Sequence, residues 1–172
     1  VAVTKNAIYI TSNGDDTKGW ILKSEIAAGK AGPLKPFIAT KSVVSVDAPA
    51  GIVIDKHGHL VVGQMGEVGV AGDSLLTIYD ESGKLLASPK TGLSDIVGLA
   101  YSPKSGKLYA IDFSWADPKA GGLFRIDLSG ETEETPWEAL VRKRDGKTFR
   151  VDTGERIRSA LMETLTGRNQ TV

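Results

Sequence analysis

"GIVIDKHGHLVVGQ" occupies residues 51–64, and "GLAYSPKSGKLYAID" occupies residues 98–112. Each is a short apolar run, a tight polar turn and a second apolar run, the pattern of two strands joined by a hairpin. Setting Gly51 on Gly98, with one extra residue in the second turn, brings Leu60 onto Leu108 and Gln64 onto Asp112. The correspondence continues past the hairpin. "LLTIYDESG" (75–83) lies over "GLFRIDLSG" (122–130), so Asp80 meets Asp127 and Gly83 meets Gly130. An incomplete copy opens the chain, with "NAIYITSNG" (6–14) in the place of the second strand and "WILKSEIA" (20–27) in that of the third.

The period is about 47 residues, within the range of repeats that build propellers and solenoids. Its content decides between them. Each copy holds short runs of Val, Ile, Leu, Tyr and Phe bounded by Gly, Asp, Ser and Pro, and no helical periodicity interrupts them before residue 140. Four such strands make a twisted antiparallel sheet that cannot bury both of its faces alone. Stacking sheets radially covers those faces and protects most edges. The predicted fold is all-β, with β-propeller blades of four antiparallel strands over residues 1–45, 46–93 and 94–140, followed by a short helix-containing tail.

These residues resemble known families. "PAGIVIDKHGHLVVGQ" followed by "SLLTIYDESGKL" is similar to an NHL repeat. "GLAYSPKSGKLYAID" resembles the blade of the senescence-marker-protein/gluconolactonase and strictosidine-synthase-like propellers. The likeness covers about residues 6–140 and implies a six-bladed type of ring, of which this sequence supplies about three blades. The sequence is therefore expected to be a fragment, a half that pairs with another copy, or an open array; in the second case, two three-blade chains related by a two-fold axis would complete such a ring by self-association. The resemblance also leans toward an extracytoplasmic location.

In a four-stranded blade the turns alternate between the two faces of the disc. "DKHG", "PKSG" and "DESG" are tight turns on one face, with Gly at the position that needs positive φ. The links between second and third strands share the other face and are longer: "NGDDTKG" (13–19), "MGEVGVAGD" (65–73) and "FSWADPKAGG" (113–122). Long loops grouped at one end of a rigid scaffold are where ligand contacts concentrate. The candidate ligand-binding residues are therefore Ser12, Asn13, Gln64 and Asp112 at strand ends, with Phe113, Trp115 and Asp117 in the last loop. The resembled family implies a divalent metal such as Ca²⁺, held by an Asn and an Asp of a motif like "PNGL…LYVAD". Asp112 matches the Asp and is the metal-ligand candidate. Val97 and Ala50 stand where the Asn would be, and neither can ligate.

Other chemistry has less support. His57 and His59 flank Gly58 on the tight-turn face and read as turn residues. Ser102 lacks the strand–turn–helix setting of a nucleophile elbow, and no glycine loop opens a helix to cradle phosphate. Cysteine is absent, which excludes disulfides, thiol catalysis and cysteine-ligated metals. No apolar run approaches the roughly 20 residues that span a bilayer. Formal net charge is zero over 172 residues, which argues against nucleic acid as the main partner. That zero hides an asymmetry: residues 1–140 hold 13 Lys+Arg against 17 Asp+Glu, and residues 141–172 hold 8 against 4. In the basic tail, Ile157, Leu161 and Leu165 recur at four-residue spacing and predict an amphipathic helix over about 154–166. "PWEALVRK" (136–143) is expected to supply the last blade's fourth strand.

The leading expectation is a binding or interaction module, for a small molecule or a protein, with contacts on the long-loop face and no catalytic residue assigned. Two alternatives stand beside it. One is a metal-dependent lactonase or related hydrolase; the other is an adaptor that uses the basic helix.

Overall fold

The structure, a computed structural model, describes residues 1–13, 19–40, 48–67, 69–115, 117, 121–126 and 132–134. Within them the chain makes three antiparallel sheets in sequence order. The first contains β1 (Ala2–Val3), β2 (Ala7–Ser12), β3 (Trp20–Ala27), β4 (Lys30–Ala31) and β5 (Lys35–Ala39). Here β5 pairs directly with β3, and β4 is a short ribbon on the end of β3. The second sheet runs β6 (Pro49–Ile54), β7 (Leu60–Gln64), β8 (Leu75–Tyr79) and β9 (Leu85–Ala87). The third runs β10 (Ile96–Ser102), β11 (Lys107–Asp112), β12 (Gly122–Ile126) and β13 (Thr132–Glu134).

The repeat is carried by register. Leu60 pairs with Ile54 and Tyr79 in the second sheet, and Leu108 pairs with Tyr101 and Ile126 in the third. Even the link residues superpose in function: Met65 N–H donates to the Ala48 carbonyl at 2.9 Å, and Phe113 N–H donates to the Asp95 carbonyl at 2.9 Å. The fourth strand of the last sheet is Thr132–Glu134, upstream of the stretch expected for it. That stretch (136–143) and the expected helix over 154–166 lie outside the described residues.

Two of the tight turns owe their shape to an aspartate at the first position. Asp55 Oδ1 accepts the N–H groups of His57 and His59 at 2.8 and 2.9 Å, while Asp55 N–H donates to the His59 carbonyl. Asp80 repeats this around Gly83: its Oδ1 accepts from the N–H groups of Ser82 and Lys84 at 2.9 and 3.0 Å. Gly58 and Gly83 take φ of 85° and 86°, which a side chain would resist. The histidines belong to this device. His59 Nδ1 lies 3.0 Å from Asp55 Oδ2, and His57 is exposed.

Burial records the stacking. Every residue of β7 is buried, whereas β2 and β11 alternate between buried and half-exposed positions. Side chains alternate across a strand, so among the described residues this is the signature of a middle sheet covered on both faces and two flanking sheets covered on one. Leu60, Val62 and Tyr79 of the middle sheet pack with Ala7, Tyr9, Ile21 and Ile38 of the first. Val61, Leu76 and Ile78, on the opposite face, pack with Leu108, Ala110 and Ile126 of the third. Burying each such side chain contributes about 1.5–3 kcal/mol. The innermost strands approach most closely. A Cβ at Gly51 would lie 2.7 Å from the Leu99 amide nitrogen, and one at Gly63 would overlap Ile96.

Candidate functional site

The ends of β2, β7 and β11 hold equivalent registers in their sheets, each ahead of the link to the next strand. Ser12 is half-buried and Asn13 exposed at the end of β2. Gln64 ends β7 with no exposure; its Nε2 donates to Thr77 Oγ1 at 2.9 Å, and its Oε1 has no protein partner. It sits inside the stack and not at a mouth.

Asp112, at the end of β11, is buried and structural. Its Oδ1 accepts the N–H groups of Asp95 at 2.8 Å and Ser114 at 3.0 Å, and its Oδ2 accepts from Ser94 N–H at 3.1 Å. One carboxylate thus ties the entry of β10 to the exit of β11. Ser114 takes φ of 49° to turn the chain there.

Asp95 completes a reciprocal clamp. Its Oδ2 accepts the Trp115 N–H at 2.6 Å, and its carbonyl accepts from Phe113 N–H. Asp95 is wholly buried, and its Oδ1 has no hydrogen-bond partner in the protein. Burial pushes its carboxyl above the ordinary carboxylate range; the Trp115 N–H opposes this, and the charges of Asp112 and Asp73 add to it. With its backbone pinned this way, the Trp115 ring rests 4.6 Å from the Phe113 ring at a 47° tilt and remains 54% exposed. Asp117 is exposed just beyond.

The structure therefore brings Asp112, Phe113 and Trp115 into one cluster with Asp95. Ser12, Asn13 and Gln64 belong to the strand ends of the first and second sheets. Asp95 escapes a reading of the sequence because its equivalent in the middle repeat is Ala48, so no repeated signal marks it. The one available clue is its place in the link ahead of β10.

A divalent metal at Asp112, implied by the family likeness, does not fit these residues. Both carboxylate oxygens are committed to backbone N–H groups. Val97 and Ala50 offer no ligand, and among the described residues no three His, Cys, Asp or Glu side chains are grouped to hold a metal ion. No helix among the described residues is long and apolar enough to cross a membrane.

Luciferin-regenerating enzyme is similar to this chain in structure, with a TM-score of 0.55 at 16% identity over 72% of the chain. The fold is that of a partial β-propeller. The three sheets are its blades, and the chain spans 42% of the length of luciferin-regenerating enzyme. A calcium-binding protein, regucalcin from Agrobacterium tumefaciens, aligns with a TM-score of 0.42 at 19% identity, covering 56% of this chain and 34% of that one. No protein-family model matches the sequence, and neither does any curated protein.

Proposed function

We propose that this partial propeller is a binding module whose long-loop face grips a small molecule or a protein partner through Trp115 and Phe113. The observation that carries this reading is the clamp: two buried aspartates hold the backbone beneath an exposed indole. An aromatic pair fixed in advance loses little conformational entropy when it meets a ligand, and a tryptophan offers both apolar area and an N–H donor. Among the described residues of this face, the exposed acids Glu67 and Asp117 and the half-buried Asp73 stand beside Lys90, which favours partners that carry positive charge. Cation–π contact with Trp115 fits the same chemistry.

The test is a thermal-shift screen with cationic, anionic and neutral small molecules, each hit then titrated against Trp115→Ala. Hits should be enriched in cationic compounds and weakened at least about tenfold by the substitution, the loss of roughly one aromatic contact. Hits that bind the variant unchanged would overturn the reading.

A further inference from the structure

The geometry points to a second ligand site, a cleft on the first blade that takes a small organic anion with a planar apolar body. The body rests on Phe37, Pro33 and Pro36, and the anionic group pairs with Lys35. The cleft has a volume of about 310 Å³ and lies between β3, the β4 ribbon and β5. That is the lower end of the range of small-molecule sites and suits a ligand of about one ring. It sits at the end of β3 that carries Lys23 and Glu25, whereas the link after β2 joins the other end, where Ser12 pairs with Trp20. Trp115 belongs to the third blade, so the two sites share no residue.

The walls are fixed in advance. Pro33 and Pro36 have a locked φ and no N–H to satisfy. Gly32 is tied to β3 twice: its N–H donates to the Glu25 carbonyl at 2.8 Å, and its carbonyl accepts from Ser24 Oγ at 2.7 Å. Phe37 is half-buried, with its ring 5.8 Å from that of Tyr9. Its tip abuts the second blade's turn, where a Cβ on Gly83 would lie 3.0 Å from Phe37 Cζ. An apolar surface held this way loses little entropy when a ligand covers it.

Charge decides the sign of the ligand. Lys23 and Lys35 stand directly opposite in the β3–β5 ladder, and like charges so placed repel. Lys23 is compensated: its Nζ lies 2.7 Å from Glu25 Oε1 and 5.0 Å from the Phe37 ring centroid, and the field of Glu81 reaches it as well. Lys35 is exposed, lines the cleft, and has no ion-pair partner among the described residues. An anionic group beside Lys35 relieves the repulsion, and a cation there adds to it. This cleft therefore selects the charge opposite to that favoured around Trp115.

Amide shifts of the full chain, followed by NMR during titration with benzoate, benzyl alcohol and benzylamine, read the outcome. Benzoate should move the Gly32 and Phe37 amides saturably at millimolar concentration, and the neutral and cationic analogues should move them far less. Lys35→Gln should weaken benzoate about fivefold, the loss of one exposed charge pair, and Lys35→Arg should keep it. Trp115→Ala should leave benzoate unaffected, which separates a failure here from a failure of the long-loop reading. The absence of a saturable shift with benzoate would overturn the inference. So would equal binding of benzyl alcohol, or a Lys35→Gln variant that binds benzoate as the parent does.

Discussion

Asp95 is where the long-loop face is under most electrostatic tension. Its carboxyl is raised above the ordinary range first by burial, against the Trp115 N–H bond and with the help of Asp112 and Asp73. A carboxyl raised in the fold is easier to ionise in the unfolded chain. Its contribution to stability is complete below the ordinary carboxylate range and is lost as pH rises through the raised value. Asp95→Asn removes the ionisation while its amide oxygen can still accept the Trp115 N–H. The variant should be about 1 kcal/mol more stable than the parent at neutral pH and should lack the parent's decline between acid and neutral pH, as read by denaturant melts across that range. Asp112 could be singled out from its place in a repeat, whereas its role as a triple acceptor of backbone N–H groups could not. That role depends on Ser94, Asp95 and Ser114 turning inward, which no spacing in the chain encodes.

At the scale of the strand, the inner edge of the stack has the least room. Gly51 lets the Leu99 backbone come within van der Waals reach, and its backbone leaves no flexible atom to yield. Gly51→Ala should therefore separate the second and third blades and cost about 1–3 kcal/mol, measured by urea unfolding. The matched Gly98→Ala should cost no more than the ordinary few tenths, since only the Ile111 side chain is near. The strands themselves were legible because alternation of Val, Ile and Leu with turn signals specifies hairpins. The strand Thr132–Glu134 carries no such signal: it is polar, and its pairing with Phe124–Ile126 comes from the neighbouring ladder and not from its own pattern.

For the molecule as a whole, coverage falls outward from the middle blade. Buried on both faces, β7 should open only with global unfolding, whereas β2 and β11 can fray from the sides that are half-exposed among the described residues. Amide exchange followed by mass spectrometry should find β7 at least about tenfold slower than either. The order in which the three described sheets stack could be read from the 47-residue echo. Which faces the described residues leave uncovered could not, because Ile8 and Val62 look alike until register shows on which side a neighbour lies.

Segment 94–95 touches two blades at once. It bridges to Met65 and Gly66 on the second blade's loop and clamps Phe113 and Trp115 on the third's. Trp115 is thereby geared to the hinge angle between those blades. Any force on the indole therefore falls on a two-residue segment that is bonded to both sheets.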